Sequence, residues 1–190
     1  MTALNIYYIL GALLVFLVLY FIFLFNNLIK KRERVKEASS SIEVMLKMRA
    51  DLIPNLLEIV KGYAAYEKEV LESITEARTK VLEARSVKEG LEANNMLTSA
   101  LKTLFAVAEN YPNLKANQNF LELQKQLSDV EDKIQASRRF YNAVVQEYNS
   151  SLKLFPNSIV ASVFGFKEEE YFELSPEERK SIEKPPEIKF

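Results

Sequence analysis

Residues 120–148 read FLELQKQLSDVEDKIQASRRFYNAVVQEY and hold the clearest structural pattern of the chain. Apolar and aromatic side chains recur there at intervals of three and four residues. The positions in the pattern are Phe120, Leu123, Leu127, Val130, Ile134, Ser137, Tyr141, Val144, Tyr148 and Phe155. Such a seven-residue repeat is typical of a helix that packs against other helices as in a coiled coil. The pattern predicts one long helix over about residues 115–155, ending before Pro156.

Two further helices are predicted on the N-terminal side of this one. A helix over about residues 91–110 should end at Tyr111-Pro112, because a residue before proline is pushed out of the helical region. Its apolar face is formed by Leu97, Leu101, Leu104 and Ala108. A first helix over about residues 30–86 shows a similar seven-residue repeat at Val35, Ala38, Ile42, Met45, Leu52, Leu56, Ile59, Tyr63 and Val70. Pro54 removes a backbone donor inside it, so a kink or break near residues 50–54 is expected.

An apolar run lies nearer the N-terminus, where residues 6–25 read IYYILGALLVFLVLYFIFLF. Fifteen of these residues are Leu, Ile, Phe or Val, and no charged side chain precedes Lys30. At about 1.5 Å per residue, a helix of this length covers about 30 Å, the thickness of a bilayer's hydrocarbon core. A cleaved signal peptide would be shorter, with basic residues before it and a small-residue cleavage site after it. The run therefore predicts a transmembrane helix over residues 6–29, preceded by a short leader over residues 1–5.

These elements together predict an all-α fold. The transmembrane helix is followed by an elongated antiparallel bundle of long helices with coiled-coil-like packing over residues 30–166. Residues 159–164 predict a short apolar helix that turns back on the bundle. Residues 167–190 form an acidic C-terminal tail, in which Ser175–Glu178 reads as a capping box.

Basic residues follow the apolar run directly. They are Lys30, Lys31, Arg32, Arg34 and Lys36, and no basic residue precedes the run. The positive-inside rule places the helical domain in the cytoplasm and the N-terminus outside, as a single-pass membrane protein. The same side chains could also contact anionic lipid headgroups, although Glu33 and Glu37 dilute their charge. A topology signal is the simpler interpretation of this segment, and membrane lipid is the expected partner.

The composition excludes several kinds of chemistry. Without cysteine or histidine, the chain cannot form a disulfide, a thiolate or imidazole catalytic group, or an ordinary zinc site. A net charge of −1 argues against nucleic acid as a partner. The acidic stretches Glu168–Glu170 and Asp129, Glu131 and Asp132 lack a calcium-loop pattern and fit solvated faces better than metal sites. We therefore expect no enzymatic activity, no cofactor and no metal.

One candidate interaction motif surrounds Pro54. Arg49 lies at a core position of the first helix, close to Asp51 and Asn55. A helix broken by proline could expose backbone groups beside these side chains to a partner. Alternatively, Asp51 and Asn55 cap a kink while Arg49 pairs with a carboxylate on a facing helix, since a buried charge requires a partner. The structural alternative is the simpler one.

A second candidate motif consists of two Tyr-Asn pairs, Tyr141-Asn142 and Tyr148-Asn149. The pairs are seven residues apart and therefore lie on one helical face. They could hold a peptide or a lipid. More often such residues lie at the edge of a core, with the ring buried and the polar end bonded across to another helix.

Four groups of residues form a family pattern: Asp51-Leu-Ile-Pro-Asn55, Val60-Lys-Gly-Tyr63, Tyr111-Pro with Leu114-Lys-Ala116, and the two Tyr-Asn pairs. In these motifs the chain resembles the LemA family of bacterial membrane proteins. Two positions depart from the usual pattern: Tyr66 stands where the family usually has histidine, and Phe25 where it often has tyrosine. The resemblance implies a single-pass helical-bundle protein with no catalytic residues to transfer. For the family it suggests a scaffold or membrane-organising part, and relatives are implicated in magnetosome membrane biogenesis.

The expected function is that of a non-enzymatic, membrane-anchored scaffold or interaction protein. The alternative is an adaptor or sensor that presents its helical domain to a membrane protease or a signalling enzyme. We expect the protein to form a homo-oligomer, because tethering in a membrane raises the effective concentration of neighbouring copies. The apolar residues that would either form this lateral contact or widen the bundle core are Leu46, Ile53, Leu57, Phe105 and Leu121.

Overall fold

The structure is a computed structural model that describes residues 2–64 and 67–172, with side chains from Tyr7 onward. Its regular elements are all helices, so the predicted all-α fold is confirmed. In that part of the chain they are α1 (Thr2–Lys61), α2 (Lys68–Glu83), α3 (Val87–Ala108), α4 (Pro112–Lys115), α5 (Gln118–Lys153) and α6 (Asn157–Phe164). The predicted capping box at Ser175–Glu178 and the rest of the tail from residue 173 lie outside the described residues.

The chain divides into two compact units. Among the described residues, unit 1 consists of residues 2–38 and 140–171, and unit 2 of residues 39–64, 67–139 and 172. Helices α1 and α5 each contribute residues to both units, whereas α2, α3 and α4 belong to unit 2 and α6 belongs to unit 1.

In unit 2, α1 and α5 run antiparallel. Arg49 of α1 pairs with Glu131 of α5, and Tyr63 just after α1 accepts a 3.1 Å hydrogen bond from Asn117 just before α5. From the first contact to the second, the residue number rises by fourteen along the α1 side and falls by fourteen along the α5 side. Helices α2 and α3 pack against each other in the same unit. The predicted antiparallel packing is therefore confirmed for these two long helices.

Helix α3 approaches a side chain of α1 closely at Gly90. A Cβ atom at this position would lie 2.9 Å from Cδ1 of Leu46 on α1. Since such a distance is shorter than ordinary carbon–carbon contact, glycine allows the two helices to come closer here than a larger residue would.

The buried face of α1 follows an eleven-residue repeat rather than the predicted seven-residue one. Nine side chains at this spacing, each 9% exposed or less, are Val35, Ala38, Ile42, Leu46, Arg49, Ile53, Leu57, Val60 and Ala64. The two repeats coincide at Val35, Ala38, Ile42 and Arg49 and differ by one residue at the other positions beyond Ile42. Leu56 is fully buried as predicted, but Met45, Leu52 and Ile59 are only half-buried and Tyr63 is exposed, contrary to the prediction. An eleven-residue period lies close to the natural helical period and does not favour a left-handed supercoil.

The interruption of the first predicted helix lies at residues 62–67, not at 50–54. Helix α1 continues through Pro54 to Lys61. It ends where Gly62 and Tyr63 donate to the carbonyls of Ile59 and Val60 at 3.1 and 3.0 Å, which tightens the last turn. A helix from residue 30 to about 86 is thus wrong, and α2 is a separate element.

Side-chain caps explain where α3 and α5 begin. The Ser86 hydroxyl accepts a 3.2 Å hydrogen bond from the Glu89 N–H, so α3 begins at Val87, four residues before the predicted start. Asn117 Oδ1 accepts a 3.1 Å hydrogen bond from the Phe120 N–H and caps α5 in the same way. Proline at the first position of α4 follows the predicted end of α3.

The heptad pattern of α5 is confirmed over most of its length. Phe120, Leu127, Ile134, Tyr141 and Tyr148 are all buried. The last predicted position, Phe155, is wrong: α5 ends at Lys153, and Phe155 is 82% exposed.

In unit 1, the predicted short helix after Pro156 is confirmed as α6. It ends at Gly165, whose φ of 69° lies in the left-handed region that glycine adopts without strain. The Phe166 N–H then donates to the Ala161 carbonyl at 2.9 Å, and the chain continues in extended form.

Candidate functional site

The N-terminal part of α1 presents apolar side chains outward on every side. The large side chains of this segment are 40–72% exposed from Tyr7 to Phe23. Judged by length and composition, α1 is the one helix among the described residues that could cross a membrane. Inward-facing core side chains begin only at Leu24 and Leu28.

The basic segment that follows the apolar part is tied to α5 within unit 1. Lys31 Nζ lies 2.7 Å and Arg34 Nη1 3.4 Å from the Glu147 carboxylate. The hydrogen bond and the charge of Lys31 lower the pKa of Glu147. Lys36 pairs with Glu33 at 2.7 Å along the same helix.

Lys30 and Arg32 are the remaining members of the predicted headgroup-contact set. Both side chains are exposed, and no carboxylate of the described residues lies within ion-pair distance of either. In the predicted set, Lys31 and Arg34 therefore join α1 to α5, Lys36 pairs within α1, and Lys30 and Arg32 face solvent.

The two Tyr-Asn pairs hold the start of the C-terminal segment against α5. The Asn149 side chain forms two hydrogen bonds with the backbone of Glu169, donating to its carbonyl at 2.9 Å and accepting from its N–H at 3.0 Å. The Tyr141 hydroxyl donates to the Glu170 carbonyl at 3.1 Å. Burial, followed by the negative charges of Glu169 and Glu170, raises the pKa of Tyr141. Tyr141 and Asn149 are buried, as the structural interpretation predicts, but their polar ends bond to the backbone of a segment outside the helices rather than to another helix.

Tyr148 is 1% exposed, and its hydroxyl has no hydrogen-bond partner among the described residues. Burial raises the pKa of this hydroxyl because it disfavours the phenolate. The ring therefore acts as a core side chain.

Arg49 is the centre of a buried polar cluster in unit 2. Its guanidinium donates to Asn94 Oδ1 at 2.6 Å and to Thr98 Oγ1 at 2.8 Å, both on α3, and forms an ion pair with Glu131 on α5. The cluster joins three helices around a side chain that is 4% exposed. Burial lowers the pKa of Arg49, and the charge of Glu131 opposes that effect. The predicted pairing of Arg49 with a carboxylate on a facing helix is what the structure contains.

The sequence does not identify the other members of the cluster. It places Glu131 on a solvated acidic face, but the side chain is only 22% exposed and also accepts from Asn94 at 3.1 Å and Gln135 at 2.9 Å. Asn94 lies three residues before Leu97 on the apolar face of α3. A polar residue in that register is the signal that could have identified the partner of Arg49.

Pro54 is accommodated inside α1 by a side chain of α2. Because proline has no N–H, the carbonyl of Ala50 lacks its helical donor. Arg78 Nε donates to that carbonyl at 2.9 Å, and Ala50 is fully buried. Arg78 itself is half-buried, although its place in the sequence is equally compatible with an exposed helical face. This hydrogen bond provides a physical reason why the chain remains helical at Pro54.

Asp51 and Asn55 do not cap a new helix start at this position. Both side chains are exposed, and Asp51 pairs with Lys47 at 2.7 Å along α1. No helix begins there, so the predicted capping role is wrong.

Two of the sequence motifs that carry the family resemblance meet in unit 2. The Tyr111 hydroxyl donates to the Glu67 carboxylate at 2.8 Å, and Asn117 donates to the Tyr63 hydroxyl at 3.1 Å. The segment between α1 and α2 is thereby fastened to the segment between α3 and α5. Among the described residues, no three acidic side chains come close enough together to hold a metal ion.

These features define the class of protein. An all-helical chain with one apolar N-terminal helix, and with a domain held together by polar contacts in its turns and its core, is a helical-bundle protein suited to a membrane surface. The sequence pattern of the LemA family matches residues 38–190, and the chain belongs to that family.

Three relatives illustrate the family relationship. Protein LemA of Metamycoplasma hominis is 28% identical, over 93% of this chain and 82% of the relative. Magnetosome protein MamQ 2 of Paramagnetospirillum magneticum is 27% identical, over 80% of this chain and 65% of the relative. Magnetosome protein MamQ of Magnetospirillum gryphiswaldense is 26% identical with the same coverage. The chain thus spans slightly less than two thirds of the length of these MamQ relatives.

Proposed function

We propose that the chain is a membrane-anchored, non-enzymatic scaffold or interaction protein. The observation that carries this proposal is the change along α1 from exposed apolar side chains to buried core side chains. One continuous helix presents exposed apolar side chains over Tyr7–Phe23 and buries core side chains from Leu24 onward. A helix segment that is apolar on all sides is unfavourable in water and favourable in hydrocarbon.

The role of the polar cluster supports a structural rather than a catalytic protein. Arg49 and Glu131, the buried ion pair of unit 2, direct their hydrogen bonds to each other and to Asn94, Thr98 and Gln135. None of the three relatives named above carries the name of an enzyme.

Membrane insertion is tested by extraction of bacterial membranes with alkaline carbonate. The full-length chain should remain in the membrane pellet. Because one arginine at the centre of a transmembrane helix costs about 2.5–3.5 kcal/mol, the double variant Leu14→Arg, Val18→Arg should be released. The matched control is Val44→Arg, Met48→Arg, at exposed positions with the same spacing on the same helix, which should stay in the pellet. Release of the unaltered chain would refute the anchor.

A cytoplasmic location of the helical domain follows from the positive-inside rule. A phosphatase reporter fused after Phe190 should be inactive, and a fluorescent reporter at the same site should be bright. Replacing Lys30 and Arg32 with glutamine tests the topology signal without touching the ion pairs of Lys31 and Arg34 with Glu147. An active phosphatase fusion of the unaltered chain would reverse the orientation.

Self-association is the mechanism we propose for the scaffold, but through a surface that differs from the one predicted by the sequence. Leu46, Ile53 and Leu57 are buried in unit 2, and the half-buried Phe105 packs edge-on against Phe120 at 6.0 Å between ring centroids. These residues widen the core. In unit 2, the large apolar side chains that remain exposed on α1 and α5 are Val44 at 56%, Met48 at 46% and Leu121 at 48%.

The absence of cysteine from the chain makes this surface easy to test. The Met48→Cys variant, treated with a bifunctional maleimide in native membranes, should yield a cross-linked dimer. The control Lys133→Cys, an exposed charged position of α5, should yield much less. A product containing a different membrane protein would favour the adaptor function instead. Absence of any cross-linked product would refute lateral self-association through the surface around Met48.

A further inference from the structure

The segment after α5 is uncharged and rich in exposed apolar side chains. Residues 154–166 read LFPNSIVASVFGF, between Lys153 and Lys167. Its exposed apolar side chains are Leu154 at 62%, Phe155 at 82%, Ile159 at 44%, Val163 at 72% and Phe164 at 60%. Only Val160 and Ala161 of α6 are buried against the rest of unit 1. So many large apolar side chains within thirteen residues form a patch that a water-exposed surface rarely carries.

This patch lies directly beside the apolar part of α1. The ring of Phe164 is 4.7 Å from the ring of Phe25 between centroids, and the ring of Phe166 is 5.7 Å from it. Phe164 also borders an apolar groove of about 480 Å³ whose other walls are Leu17, Val18, Phe21, Ile22 and Phe25 of α1. The exposed surface of α6 is therefore continuous with the surface that crosses the bilayer under the proposed function.

We propose that residues 154–166 are a second membrane-contacting segment, embedded in the lipid interface beside the last turns of the transmembrane helix. This inference rests on the proposed anchor. The occupant of the groove between α6 and α1 is a lipid acyl chain, because all its lining side chains are apolar.

The charges around the segment fit an interfacial position. Lys153 and Lys167, which flank the uncharged run, are both exposed, as is Lys30 after the last residue of the transmembrane helix. Lys153 Nζ lies 3.0 Å from the Glu168 carboxylate, which leaves Lys30 and Lys167 for the headgroups. Lysine side chains at such positions extend toward headgroups while their apolar stems stay in the interface. The segment itself carries no charged side chain, so no ionic group opposes burial to the depth that interfacial helices reach, about 5–10 Å.

The absence of tryptophan from the chain permits a direct measurement of depth. Single-tryptophan variants of the full-length protein are reconstituted into phosphatidylcholine–phosphatidylglycerol vesicles that contain lipids brominated either near the headgroup or near the chain end. The reporters are Val163→Trp and Phe155→Trp, both at exposed positions where the fold tolerates the change. Leu121→Trp, at an exposed apolar position in unit 2, is the control for contact with lipid. Phe16→Trp reports the anchor itself.

The expected result is that headgroup-proximal bromines reduce the emission of both α6-region reporters by about twofold, consistent with an interfacial depth. Leu121→Trp should be unaffected, and Phe16→Trp should respond best to chain-end bromines. Quenching of Phe16→Trp alone would overturn the second membrane contact and leave the anchor standing. Loss of quenching at all positions would overturn both. Unquenched but blue-shifted emission of Val163→Trp and Phe155→Trp would assign the patch to protein contact, such as a second copy, and overturn the inference.

Discussion

The Arg49 cluster yields the most discriminating prediction. In the Arg49→Met variant, a side chain of similar length replaces the guanidinium and removes its bonds to Asn94, Thr98 and Glu131. Two bonds to neutral acceptors are worth about 1 kcal/mol each, and one to a carboxylate about 1.5–3 kcal/mol. Glu131 keeps the hydrogen bonds from Asn94 and Gln135 and is 22% exposed, so its carboxylate does not become a buried charge without partners. These contributions sum to about 3.5–5 kcal/mol. The variant also no longer buries a guanidinium, which offsets part of the loss, so we expect a net loss of about 3 kcal/mol in the free energy of unfolding.

The opposite change should cost more. Glu131→Leu leaves the guanidinium of Arg49, 4% exposed and with its Nε already without a partner among the described residues, as an uncompensated buried charge. Removing one partner of a buried pair costs about 3–5 kcal/mol, and replacing both with apolar residues is often neutral. The double variant Arg49→Met, Glu131→Leu should therefore be within about 1 kcal/mol of the unaltered protein.

The measurement is urea unfolding of the full-length chain in mild detergent, followed by far-ultraviolet circular dichroism. The matched control is Lys47→Met, which breaks the exposed pair with Asp51 one turn away on the same helix. That pair should contribute less than about 0.5 kcal/mol. If the two single losses simply added in the double variant, or if Arg49→Met cost no more than Lys47→Met, the cluster would not be what fastens α1 to α3 and α5.

Three further predictions concern other contacts. Arg78→Met should cost about 1.5–3 kcal/mol in urea unfolding, because it leaves a buried carbonyl without a donor; in a Pro54→Ala background, where the helix regains its own N–H, the cost should fall by at least about 1 kcal/mol. The pKa of Glu147 is lowered mainly by its hydrogen bond from Lys31, so the stabilisation is present above the unfolded pKa of about 4.3 and is lost as the pH falls through the lower folded pKa. Glu147→Gln should therefore flatten the acid limb of the stability–pH curve, by less than about 1 kcal/mol since the side chain is 48% exposed. Tyr148→Phe should leave stability at neutral pH within about 0.5 kcal/mol, because the lost hydroxyl had no partner among the described residues. Burial raises the pKa of Tyr148, so its contribution is lost only as the pH rises beyond about 10, and the variant should resist alkaline unfolding better.

The long helix α5 could be predicted from its sequence because a single register is available there. Each heptad position from Phe120 to Tyr148 is flanked by polar residues on most sides, so only one face can be buried. The prediction failed at Phe155 because apolar character alone does not say where a helix ends.

The register of α1 could not be chosen from sequence. Beyond Ile42 the apolar residues come in adjacent pairs, such as Met45 and Leu46 or Leu52 and Ile53. Either member of each pair continues an apolar face, one with a seven-residue and the other with an eleven-residue period. The packing of α3 and α5 around Arg49 decides between them, and that information lies in residues 45 and 82 positions further along the chain.

Of the polar cluster around Arg49, the sequence predicted the ion pair with a carboxylate but not the identity of the partners. A buried arginine demands a carboxylate, and that requirement can be read from Arg49 alone. Its carboxylate could not be distinguished from neighbouring acidic residues on α5, because Asp129, Glu131 and Asp132 differ only by their angle around the helix. The contacts of Asn149 with the backbone of Glu169 were likewise not predictable, since they depend on where the chain returns after Gly165.

The hydrogen bond from Arg78 to the Ala50 carbonyl also bears on the order in which the chain folds. During synthesis, the ribosome makes Pro54 well before Arg78. For that interval the Ala50 carbonyl can accept a hydrogen bond from water but not from Arg78. The helix around Pro54 therefore becomes fully bonded, and able to lose its water, only when α2 has turned back at Gly62 and docked. Docking must also occur in one register, because a shift of one residue along α2 rotates the guanidinium by about 100° away from the carbonyl. Pro54, which would weaken an isolated helix, thus favours a single docking register for α2.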